Sequence, residues 1–147
     1  MKTLITKILK SAPSFAPLAL RIPIGIILIA HGSQKLFGWF GGYGLEGTGQ
    51  WMTSIGLTPG YLMALMAGSS EFFGGVLLLL GLLTRPTALI LSFTMIVAIF
   101  SVHIGNGLFL ANNGYEFGLA LQAATASLAV SGAGKLSLDN LLASRIK

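Results

Sequence analysis

Two histidines, four acidic residues and nine lysines and arginines are the whole stock of acid, base and charge in this 147-residue chain, which has no cysteine. Without a thiol, disulfides, thiolate metal ligands, covalent c-type haem and cysteine nucleophiles are excluded. His31 and Lys35 stand four residues apart, so on a helix they share one side. With His103 they allow three chemistries. His31 and His103, from two different helices, could be the axial ligands of a b-type haem. His31 and Lys35 could hold the polar head of a quinone or an anion, with Glu116 balancing the charge. The same residues could also form a polar network that only fixes helix register. The run Gly41-Gly42-Tyr43-Gly44 is not a phosphate-binding loop, because no Gly-Lys-Ser/Thr follows it.

The elements that would position these groups follow from composition. Hydrophobic residues make up 54% of the chain and charged residues 9%, and the mean hydropathy is +0.83. A soluble domain carries about 25% charged residues to cover its surface, so this chain must meet an apolar phase. An all-α integral membrane protein is expected. Four stretches are long enough to cross a hydrocarbon core of about 30 Å: 18–37, 61–83, 86–104 and 115–133. The second carries Glu71 but has enough Leu, Phe and Val to insert despite it. The fourth is rich in alanine, which suits packing against sister helices better than facing lipid. Between the first two, Gly38 to Gly60 is rich in glycine and holds Trp39, Tyr43 and Trp51, as a re-entrant or interfacial loop would. The short Thr84-Arg85-Pro86 turn makes the second and third spans an antiparallel hairpin.

Eight of the nine basic residues, Lys2, Lys7, Lys10, Arg21, Arg85, Lys135, Arg145 and Lys147, fall on one side of these spans, and only Lys35 on the other. Both termini are therefore expected in the cytoplasm. This distribution assigns the net charge of +5 to the membrane rather than to nucleic acid. Two tails, 2–14 and 136–146, have the pattern of amphipathic segments lying on the inner surface.

Depths measured along the spans put Arg21 about 5 Å in, Gln122 about 17 Å, Glu71 about 18 Å, His31 about 20 Å, and Lys35, His103 and Glu116 about 25 to 27 Å. An outward-opening pocket lined by His31, Gln34, Lys35, Glu71 and His103 is expected, with Arg21, Glu116 and Gln122 in structural polar roles. For Glu71, a long interhelical bond to Arg21, a bond to Gln122 in the protonated state, and a ligand or proton role all stay open. Asp139, the sole aspartate, or Ser137 is expected to cap a terminal helix.

Several of these residues also fall in recognisable motifs. Arg21-Ile-Pro-Ile-Gly25 with Ala30-His31-Gly32-Ser-Gln-Lys35-Leu36-Phe37 resembles the first helix of the DoxX family of small bacterial membrane proteins. Glu71-Phe-Phe-Gly74-Gly75 running into Leu80-Gly81-Leu82-Leu83-Thr84-Arg85 is similar to its second helix. Gly132-Ala-Gly134-Lys-Leu-Ser137-Leu138-Asp139 resembles its C-terminal signature. The likeness extends from Leu18 to Leu142 and includes Arg21, Gly25, His31, Gly32, Lys35, Glu71 and Asp139. It implies a single domain over 1–147, a four-helix transmembrane bundle of the bacterial inner membrane. It also implies a link to quinone-coupled sulfur oxidation and to oxidative-stress membrane complexes. The functional expectation is a subunit or partner of a membrane redox system, with quinone as the cofactor and haem b as the lesser candidate. The alternative is a non-enzymatic scaffold or assembly factor. Expected partners are the lipid bilayer, other redox subunits or a second copy of the chain.

Overall fold

The computed structural model describes residues 2–145 and the side chains of residues 5–145. Met1, Ile146, Lys147 and the side chains of Lys2 and Leu4 lie outside that description, so their parts in the charge count and the tails do too. Every regular element among the described residues is helical. The helices are α1 (Lys2–Leu9), α2 (Ala16–Phe37), α3 (Gly44–Ser54), α4 (Gly60–Leu80), α5 (Thr84–Ala98), α6 (Glu116–Ser131) and α7 (Leu138–Arg145).

Helix boundaries follow local chemistry. Ser14 Oγ accepts the Ala16 amide at 3.1 Å and opens α2, which ends where Gly38 turns left-handed. Helix α4 stops at Leu80, three residues short of the expected 83, because Gly81 adopts φ +61°. The Leu82 amide then donates back to the Leu77 carbonyl at 2.9 Å, closing the helix end. A Cβ at position 81 would also lie 2.7 Å from Arg21 Nη1. Beyond Ala98, α5 continues through a π turn at Ile99–His103, so the helical run Thr84–Asn106 is 23 residues long.

Three helical segments, Ala16–Phe37, Gly60–Leu80 and Thr84–Asn106, are long and apolar enough to cross a membrane. Helix α6 has 16 residues, a length of about 24 Å at 1.5 Å per residue, less than a hydrocarbon core. Its partners are protein: Leu121 and Leu128 are buried in one core cluster with Leu28, Leu78, Leu91 and Met95. Helices α2, α4, α5 and α6 run alternately up and down, and the closest pairs are α2 with α4 and α5 with α6. Glycine sets the first of these. A Cβ at Gly32 would lie 2.4 Å from the Phe72 amide nitrogen, and one at Gly75 2.7 Å from the Gly25 carbonyl oxygen. Small residues thus bring the backbones together, as membrane helices without a hydrophobic driving force require. Ile26, Phe73, Leu89, Phe93 and Phe100 are exposed on the outside, the surface a lipid phase would cover.

The segment expected as a re-entrant or interfacial loop contains α3, which packs across the open end of the bundle against α4. At the opposite end the terminal segments clasp each other. The Ser11 amide donates to Asn140 Oδ1 at 3.0 Å, and the Gly134 amide donates to Ser11 Oγ at 2.9 Å.

Candidate functional site

The charged residues divide between the two ends of the bundle. At the terminal end, Arg21 is almost wholly buried and its guanidinium is filled by backbone. Nε donates to the Ala133 carbonyl at 3.1 Å, Nη1 to Leu78 and Leu79 at 3.2 and 2.8 Å, and Nη2 to Lys135 at 3.2 Å and also to Leu136. The C-terminus of α4 is thereby tied to the chain following α6, with a cation at the negative end of a helix dipole. Arg85 does the same for α6, donating to the Ala129, Val130 and Ser131 carbonyls. Of the two alternative caps expected for the terminal helix, Ser137 takes that place and Asp139 caps a different helix. The two Asp139 oxygens accept the Leu83 and Thr84 amides at 2.7 and 2.9 Å, at the start of α5. Ser137 Oγ accepts the Asn140 amide at 3.3 Å and caps α7.

Arg21 is therefore no partner for Glu71. At the other end Lys35 Nζ meets Glu71 Oε2 at 2.6 Å, with the lysine side chain 24% exposed and the glutamate 6%. At the rise of an ideal helix the two residues lie about 8 Å apart along the bundle axis. The long Lys35 side chain and the glycine-set offset of α2 against α4 close that gap. Gln122 does not reach Glu71 either: its Nε2 donates to Ser92 Oγ at 2.8 Å, a bond between α6 and α5. Glu116 does not balance Lys35, because its Oε1 accepts the Leu110 amide at 2.5 Å and fixes the loop before α6.

The Lys35–Glu71 pair lines a cavity of about 360 Å³ whose wall also includes His31, His103, Trp51 and Phe117. Leu28, Met95 and Leu121 line it from the core. The His31 ring lies 5.9 Å from the Phe117 ring, and among the described residues no hydrogen bond reaches its nitrogens. His103 Nδ1 is 2.9 Å from the Asn113 carbonyl oxygen, which holds the ring and leaves Nε2 without a partner among the described residues. Four of the five expected pocket residues, His31, Lys35, Glu71 and His103, are thus brought together. Gln34 is not among them. Its Nε2 donates to the Phe40 carbonyl at 3.2 Å, and it lines a separate, open groove of about 720 Å³ between α2 and α3. Lys35 and Trp51 border both spaces. Trp51, Met52 and Phe117 are wall residues that sequence reasoning missed. For Trp51 and Met52 the available signal was the amphipathic spacing within α3, hidden by its glycines; Phe117 lies on α6. Among the described residues no three His, Asp or Glu side chains gather as a metal site.

The DoxX family model matches residues 16–104, well over half of the chain. The chain belongs to the DoxX family. This DoxX protein is 37% identical over 122 residues to "Putative oxidoreductase CatD" of Bacillus subtilis (strain 168), with 83% of each chain covered. It is 32% identical over 140 residues to "Inner membrane protein YqjF" of Escherichia coli (strain K12), across 91% of this chain and 97% of the relative. It is 32% identical over 124 residues to "Inner membrane protein YphA" of the same strain, across 81% and 84%. No solved structure matches. With its three apolar helices, this DoxX protein is a multi-pass protein of the bacterial inner membrane.

Proposed function

We propose that the cavity at the end opposite the termini binds a small, mostly apolar molecule with a polar head, a quinone, and that the protein serves a membrane redox system. The observation that carries this is one cavity of about 360 Å³ in which an apolar wall meets an ion pair and two imidazoles. That volume and that mixture are typical of small-molecule sites. Lys35 and His31 can donate to quinone carbonyl oxygens, and Leu28, Met95 and Phe117 can contact the ring. The relative named as an oxidoreductase agrees with this use. A b-type haem suits the site less well, because Phe117 lies against the His31 ring.

The proposed topology has four spans with both termini in the cytoplasm. Helix α6 joins the three longer helices, and Lys7, Lys10, Arg21, Arg85, Lys135 and Arg145 share the end that holds the termini. The outward-opening cavity then faces the outer leaflet. In the cysteine-free chain, Ser144→Cys and Ser54→Cys should react with a membrane-impermeant maleimide from opposite sides; reaction from the same side would overturn the topology.

Titration of Trp39→Phe protein with a soluble short-chain benzoquinone tests the site, because Trp51 then reports alone from the cavity wall. Saturable quenching that His31→Leu weakens is expected. Unsaturable quenching, identical in both proteins, would leave the scaffold reading, which the mutual neutralisation of Lys35 and Glu71 favours.

A further inference from the structure

The terminal end carries a charge imbalance that the cavity does not use. Lys7, Lys10, Lys135 and Arg145 are all exposed there. The acid of that end, Asp139, is 1% exposed, with both oxygens engaged by the amides that start α5. Among the described residues, this face therefore presents four cations and no exposed carboxylate.

The segments that carry these cations are held together. The clasp of Ser11 with Asn140 and Gly134 joins the end of α1 to α7, and the Lys135 amide donates to the Ser14 carbonyl at 2.8 Å. Lys135 Nζ lies 4.7 Å from the centre of the Phe15 ring, so an exposed aromatic carries the ammonium on its face. Beside these cations are exposed apolar side chains: Ile5, Ile8 and Phe15 on the N-terminal segment, and Leu138, Leu141 and Leu142 on α7. Apolar groups that enter an acyl layer, set among lysines that remain at headgroup level, form a surface for anionic lipid. A soluble acidic partner would match the charges but not the apolar side chains between them.

We propose that this clasped face, centred on Lys7, Lys10 and Lys135, is a binding surface for the phosphate headgroups of anionic phospholipids. Each lysine adds about fivefold to the preference for anionic over zwitterionic lipid, the equivalent of about 1 kcal/mol per residue. Salt weakens that preference because the groups are exposed. Arg21 and Arg85 take no part, since their guanidinium groups are committed to backbone carbonyls.

The test uses the full chain, purified in detergent. Bound phospholipids are counted by native mass spectrometry after exchange with equal amounts of phosphatidylglycerol and phosphatidylcholine, with and without added inorganic phosphate. Preferential retention of phosphatidylglycerol is expected, falling about fivefold per lysine in K7Q, K7Q/K10Q and K7Q/K10Q/K135Q, and restored in K7R/K10R/K135R. Helical content from circular dichroism should match wild type in all of them. Equal retention of both lipids, or an unchanged preference in the triple glutamine variant, would overturn the proposal. Displacement of the lipid by millimolar inorganic phosphate would overturn the lipid as the source of the anion. Helical loss in the glutamine variants with none in the arginine variant would assign these lysines to folding and overturn it as well.

Discussion

The two ends of this bundle use charge in opposite ways. At the terminal end, Arg21 donates to five carbonyls, Arg85 to three, and Asp139 accepts two amides. Side-chain valence is spent on backbone groups that helix ends leave unpaired. At the cavity end, Lys35 and Glu71 meet each other, and the imidazole nitrogens of His31 and Nε2 of His103 keep free valence facing a space of about 360 Å³. A buried charge saturated by backbone is part of the fold. A half-buried charge that leaves capacity beside a cavity is available for a ligand.

The contrast can be broken at several points. Removing the guanidinium in Arg21→Met strands five acceptors, and a stability loss of about 4 kcal/mol is expected in thermal unfolding. Arg21→Lys should recover little of it, since one ammonium cannot replace a five-donor fork. Asp139→Ala uncaps α5 at Leu83, a residue held at φ +49°, and should cost about 2 kcal/mol. Both variants should keep the quinone affinity of whatever fraction folds. The paired replacement Lys35→Met with Glu71→Leu should leave stability within about 1 kcal/mol of wild type, because apolar substitutes of similar volume avoid the desolvation cost. It should nevertheless lower quinone affinity by at least about tenfold, the loss of one charged hydrogen bond to ligand. The smallest effect is expected for Gln34→Ala, which faces the outer groove: stability changes by less than about 0.5 kcal/mol, and cavity binding stays as in wild type.

Much of the helical plan was legible because apolar run lengths translate directly into helices. The ends were less so: α4 stops at Leu80 because Gly81 turns left-handed, which the apolar run through Leu83 conceals. Convergence of His31, Lys35, Glu71 and His103 was readable from depth and helical side. Which of them pair was not, since the axial offset between α2 and α4 is set by glycine contacts at Gly32 and Gly75. Asp139 shows the same limit. Its type and position suggest a cap, but its partners lie 55 and 56 residues away in the chain, beyond the reach of local pattern. Helix α3 was hidden because four of the first six residues after Tyr43 are not strong helix formers, and its packing on α4 supplies the missing stability.

Quinone content after gentle purification tests the central claim most directly. Extracts of wild-type protein and of the Lys35→Met/Glu71→Leu variant, prepared in parallel from the same membranes, are compared by mass spectrometry. A quinone retained by the wild type and absent from an equally folded variant is the predicted result. Equal quinone in both, or none in either, would contradict the cavity as a ligand site.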